Sequence, residues 1–168
     1  MFSRPVRGRG CFDIMKLADI LNQDCIIPDL KGHEKREALE EMAEKLAFRF
    51  ADLNKDKLLE AILERERLGS TGIGYGVAIP HVRLKGVNAI VLLFGRSIKG
   101  VEFQAMDERP AHLFFLIAAP EDSNTAHLKI LARISSLLKD AGFRKQLMEA
   151  STQEEIYNII VEEDRKLS

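Results

Sequence analysis

The sequence predicts a mixed α/β domain in which a small central β-sheet, itself mixed, is flanked by helices on both faces. Three observations carry this. Both ends of the chain show apolar residues at helical spacing. Two segments in the middle, Ala89 to Phe94 and His112 to Ala118, are near-continuous apolar runs of strand length, as expected of strands covered on both faces. Finally, strands and helices do not alternate regularly, which argues against a doubly wound nucleotide-binding fold.

Taken in order, the first patterned segment is Met15 to Leu21, where Leu17, Ile20 and Leu21 suit a short amphipathic helix. Cys25-Ile26-Ile27 before Pro28 then suits a brief strand. Between Glu34 and Phe50 the set Ala38, Leu39, Met42, Ala43, Leu46, Ala47 and Phe50 repeats at helical period, with charged residues on the other face. A second helix is expected from about Asp56 to Leu68, with Leu58, Leu59, Ile62 and Leu63 inward and Asn54 as its cap.

Gly69 breaks that helix, and the glycines that follow predict a loop leading to a short buried strand, Val77-Ala78-Ile79, which stops at Pro80. Beyond the two apolar strands the helical period returns in Leu128, Leu131, Ile134, Leu137 and Leu138, after the cap candidates Ser123, Asn124 and Thr125. A helical segment from Phe143 to Met148 and a last helix opened by Thr152, with Glu155 in capping-box position, complete the pattern. Residues 1–13, rich in glycine and arginine, read as a loose extension ahead of a single domain over 14–164.

Composition narrows the function. At 168 residues and 46% hydrophobic content the chain has material for one substantial core. Twenty-five basic against 26 acidic residues leave a formal net charge of -1, which lacks the footprint of a nucleic-acid binder. No apolar run approaches the roughly 18–20 residues of a membrane-spanning helix, so an integral membrane protein is not expected. Cys11 and Cys25 have no zinc-site spacing, and Cys25 in its apolar run reads as a buried small hydrophobe; a reducing cytoplasm is the simplest setting.

The segment Gly69 to His81, GSTGIGYGVAIPH, is the most distinctive of the chain. Glycines let backbone approach a ligand, and N–H groups freed in such loops make anion-binding concavities. Pro80 would then present His81 at a strand end. The segment has neither the GxGxxG nor the GK[ST] pattern of nucleotide loops, and on its own it fits a tight turn with a structural histidine equally well. Arg65, close before the loop, has a five-donor fork suited to an anion, or is a solvated charge within Glu64-Arg65-Glu66-Arg67. His127, near the start of a helix, sits where negative charge is favoured, or is a surface histidine near a cap. His33 and His112 read as a surface or cap residue and a structural residue, respectively. Phe103, Met106 and Phe114 read mainly as core, or as apolar surface near the loop where a partner protein could dock.

Together GSTGIGYGVAIPH, Arg65 in Arg65-Glu66-Arg67-Leu68 and His127 in His127-Leu128-Lys129-Ile130-Leu131 resemble the type-2 enzyme IIA family of the phosphoenolpyruvate-dependent phosphotransferase system, over about Met15 to Glu162. The family spans fructose, mannitol and nitrogen-regulatory branches, and the chain is most similar to the last. The resemblance implies the enzyme IIA type-2 fold and a phosphohistidine carrier, with His81 accepting the phosphoryl group through Nε2 from a histidine phosphocarrier protein. It implies that His127 and Arg65 stabilise the transferring group, assisted by a phosphate-binding loop of Ser70, Thr71, Gly72, Gly74 and Gly76. No metal and no cofactor are implied. Further partners would be an enzyme IIB or a regulated kinase or transporter. The chain departs from the pattern at Tyr75, where nitrogen-regulatory members commonly have Asn, and at Val82, where Gly is frequent. A module signalling by contact alone and a metal-dependent hydrolase are the rival readings; the latter lacks an HExxH motif.

Overall fold

A computed structural model describes residues 15–167; the loose-extension reading of 1–13, and Cys11 with it, lie outside the described residues. The chain opens with a single 3-10 turn, Leu17–Asp19, and passes at once into β1 (Leu21–Ile27). This corrects two expectations. The Met15 to Leu21 helix is one turn long, and the strand begins at Leu21 instead of Cys25. Leu17, Leu21, Cys25 and Ile26 are buried in both settings, so a helical and an alternating pattern could be read from the same short stretch.

Helix α1 (Lys35–Arg49) starts where Glu37 turns back to accept the N–H groups of His33 and Glu34 at 2.9 and 3.2 Å. Its Ala38, Leu39, Met42, Ala43 and Leu46 are the buried stripe read from the sequence. Helix α2 (Lys55–Arg67) is capped as expected by Asn54, whose side chain accepts from Lys57 N–H. Then come β2 (Gly72–Gly74), β3 (Val77–Ala78) and β4 (His81–Leu84), the long strands β5 (Val91–Val101) and β6 (Ala111–Pro120), and helices α3 (Asn124–Leu138), α4 (Ala141–Glu149) and α5 (Gln153–Arg165). Thr152 caps α5 by accepting from Glu155 N–H, in agreement with the sequence.

The six strands form one mixed sheet in the order β1-β5-β6-β3-β2, with β4 also paired to β6. β1 runs parallel to β5, β5 antiparallel to β6, and β3 and β4 both parallel to β6. β3 pairs Val77 and Ala78 with Leu113 and Phe114, and β4 pairs His81 with Ile117, so the two short strands lie end to end along β6. Pro80 separates them, since a residue without N–H cannot continue the ladder.

The two helical layers are fixed by neighbours on β5. A Cβ at Gly95 would meet Leu30 and Met42 of the α1 side at 3.1 and 3.4 Å. The next residue, Arg96, is buried and points its guanidinium the other way, onto the carbonyls of Leu147 (2.8 Å) and Ala150 (2.7 Å) at the end of α4. Successive strand residues face opposite sides, so α1 and α4 cover opposite faces. α2 packs with α1, and α3 and α5 pack with α4. Phe94, Phe103, Phe114 and Phe115 are fully buried between the layers in edge-to-face pairs with centroids at 5.0 and 5.4 Å. Phe103 and Phe114 are thus core, as read, whereas Met106 is 86% exposed. Asp164 ties α5 to both ends of the structure, taking Arg133 of α3 in a buried ion pair and the N–H of Leu17 at 2.8 Å.

Candidate phosphoryl-transfer site

His81 opens β4 with its ring half-buried, and Ile79 C=O accepts from its Nδ1 at 2.7 Å. A carbonyl can only accept, so Nδ1 carries the proton and Nε2 is left with a lone pair. Burial depresses the His81 pKa below the usual histidine value, with Ile79 C=O opposing, Arg65 adding to the fall and Glu66 opposing it. The imidazole is therefore neutral at pH 7 in the tautomer whose Nε2 can attack.

His127, in the first turns of α3, meets His81 edge to face, with centroids 5.4 Å apart and planes at 88°. It is only 5% exposed, and its Nε2 is buried with no hydrogen-bond partner among the described residues. A buried polar atom without a partner at the wall of a pocket is an open valence for a ligand. Arg65, on the last turn of α2, spends Nη1 on Gly69 C=O at 2.8 Å while its side chain lines the same depression. That depression, about 600 Å³ and open to solvent, is walled by Ala61, Arg65, His81, Arg83, Glu121 and His127, among others. One helix from each layer and the strand between them thus converge, and the three residues singled out in the sequence are brought together.

Ser70, Thr71, Gly72, Gly74 and Gly76 are not among the residues lining that pocket. Thr71 is buried, and both its N–H and its hydroxyl donate to Glu66. Ser70 donates its hydroxyl to Phe103 C=O and accepts Gly72 N–H, each at 3.0 Å. Gly72 and Gly74 pair with Ala78 and Val77 as β2, and Gly76 C=O takes the N–H groups of His112 and Leu113. The Ser70, Thr71 and Gly72 donors thus have partners within the protein. At its turn Gly74, Tyr75 and Gly76 all have positive φ (93°, 59° and 76°), a conformation that suits Asn better than the aromatic Tyr75. Its N–H bonds Asp107 at 3.0 Å and its ring lies under Arg144 at 5.1 Å, outside the pocket lining. Val82 is buried in β4.

Arg83 and Glu121 are pocket residues the sequence reading missed. Arg83 stands two positions after His81 on the strand, hence on its side, a signal available once β4 is known to be a strand. His112 is half-buried, with Ser97 C=O accepting from its Nδ1 at 2.9 Å, and His33 is exposed. Cys25 is buried, and desolvation followed by Asp24 pushes its pKa up to about 11, as an unreactive thiol requires. Among the described residues no helix is long and apolar enough to cross a membrane, and no group of three or more His, Cys, Asp or Glu is placed to hold a metal ion.

Burial, then His81 and Arg83, brings the His127 pKa down to about 4. The unfolded chain, with an ordinary histidine near 6.5, takes up a proton that the folded state refuses. Stability is therefore expected to fall as pH drops from about 6.5 towards 4, by on the order of 2 kcal/mol from this residue. Urea titrations at pH 7 and pH 4.5 check this: His127→Ala should show a shallower acid limb, and an unchanged limb would refute the assignment.

A family model described as "Phosphoenolpyruvate-dependent sugar phosphotransferase system, EIIA 2" matches residues 19–163. A nitrogen regulatory protein from Bradyrhizobium diazoefficiens is 40% identical over 146 residues, which is 87% of this chain and 95% of that protein. The fructose-specific EIIABC component of Bacillus subtilis is also 40% identical, over 151 residues, covering 90% of this chain but 24% of that protein. The crystal structure of nitrogen regulatory protein IIA-Ntr from Neisseria meningitidis matches with a TM-score of 0.81 at 34% identity, over 86% of this chain and 98% of that one.

Proposed function

This chain belongs to the phosphoenolpyruvate-dependent sugar phosphotransferase system EIIA 2 family, a family of phosphotransfer components, and from that premise we propose that it is a cytoplasmic phosphohistidine carrier that accepts a phosphoryl group on Nε2 of His81 from a histidine phosphocarrier protein. The observation that supports the proposal is the hydrogen bond from His81 Nδ1 to Ile79 C=O, which leaves Nε2 with a free lone pair in a ring that lines one pocket with Arg65 and His127.

In this scheme the lone pair of Nε2 forms a new N–P bond as the N–P bond of the carrier breaks, and the carrier's imidazole nitrogen recovers its electron pair. The Nδ1 proton stays on His81, where Ile79 C=O stabilises the positive charge of the phosphorylated ring. Arg65 and the orphaned Nε2 of His127, acting as a donor, would hold the equatorial oxygens, where charge is spread during transfer, and Arg83 adds positive potential at the rim. No cofactor takes part.

The role that follows is nitrogen-regulatory, with phosphorylation state changing the binding of a regulated kinase or transporter. A second reading, onward transfer to an enzyme IIB in sugar uptake, is favoured by the equal identity to the fructose-specific component. Incubation with a phosphorylated carrier protein is expected to give a stoichiometric label that is acid-labile and alkali-stable. A chase with enzyme IIB that drains the label would select the sugar-uptake reading, and an absence of labelling altogether would refute both.

A further inference from the structure

We propose that Glu66 is a positioning residue for His81 and acts through Thr71, an inference that deepens the phosphoryl-transfer reading and rests on it. Glu66 follows Arg65 in the last turn of α2 and is 8% exposed. Its carboxylate accepts Lys35 Nζ at 2.9 Å, the Thr71 N–H at 3.2 and 3.3 Å on its two oxygens, and the Thr71 hydroxyl. Lys35 lies in turn over the Phe103 ring at 4.7 Å. A carboxylate this far from water is tolerated only when paired and fully bonded, and here its partners meet that requirement.

The chain of contacts continues to the nucleophile. Thr71 C=O accepts Ile79 N–H at 3.0 Å, and Ile79 C=O accepts His81 Nδ1–H at 2.7 Å. Each link sets where the next can sit: Glu66 holds Thr71, Thr71 holds Ile79, and Ile79 holds the ring and its tautomer. Arg65 stands beside Glu66 in the same turn of α2, with Nη1 donating to Gly69 C=O at 2.8 Å. The charged and titratable groups around His81 are Arg65 and Glu66 from α2, His127 from α3, Arg83 from β4 and Glu121 just after β6.

Two variants of equal charge isolate the effect. Lys35→Met/Glu66→Gln leaves Thr71 an amide oxygen to bond, whereas Lys35→Met/Glu66→Leu leaves it none, and neither strands a buried charge. Imidazole ¹⁵N shifts report the His81 tautomer, and single-turnover transfer from a phosphorylated carrier reports the rate. The Gln variant is expected to retain the Nδ1–H tautomer and lose about threefold in rate, and the Leu variant to show mixed tautomers and lose about 100-fold, with KM for the carrier unmoved. Identical His81 spectra and rates in the two variants would overturn the proposal. If the Leu variant does not fold, Thr71→Val decides: a fall in the Nδ1–H population supports the clamp and a wild-type spectrum overturns it. Failure of the wild-type protein to accept phosphate would instead count against the carrier function, because the tautomer comparison needs no phosphate.

Discussion

His81→Ala is expected to abolish phosphoryl acceptance, a loss of at least about 10⁴-fold, in a protein that stays folded. The chemistry has one nucleophile. His127 is not expected to substitute, because it is 5% exposed where His81 is half-buried and so is the harder ring for a carrier protein to reach. The cost to stability is small for two reasons. His81 is half-buried at a sheet edge, and the hydrogen bond it gives up is worth about 1 kcal/mol net, part of which the relief of ring desolvation returns. Labelling with a phosphorylated carrier, read beside a thermal melt, checks both halves. Persistent label on a folded His81→Ala protein would move the acceptor elsewhere.

For His127→Ala the expected loss is about 10²–10³-fold in transfer rate, the range seen when one preorganised donor to a developing anion is removed. Its geometry is the argument: an edge-to-face contact with centroids 5.4 Å from His81 and a buried Nε2 that no described protein group satisfies. In the resting protein that atom is a standing cost, which the arriving phosphoryl oxygens would offset. The variant should therefore be slow to accept phosphate and slow to return it, with the acceptor still His81. A rate within threefold of wild type would show that His127 packs against the nucleophile without contacting the transferring group. Acidification should slow the wild type as well, because protonation removes the lone pair of His81. Its depressed pKa places that fall lower than an ordinary histidine would.

Much of this was legible in the chain. α1 and α2 were readable because a helix is written locally: Ala38, Leu39, Met42 and Leu46 repeat at its period, and Asn54 marks the start of the next. Arg65, His81 and His127 could be named because a residue's chemistry and its place in a motif survive in one dimension. The early strand was misplaced because Leu17 to Ile26 is too short to separate the two periods, and it is pairing with β5 that decides between them.

What the sequence determined by itself, then, is the helical layers, the buried strands β5 and β6, and the three residues that meet at the pocket. The tertiary structure alone decided that Gly72–Gly74 is a strand, that His81–Leu84 runs along β6, and that Thr71 donates to Glu66. The reason is physical: a backbone N–H carries the same donor whether it bonds a phosphate or a carboxylate of the protein. Which partner it finds is settled only when α2, the hairpin and β6 are folded against one another.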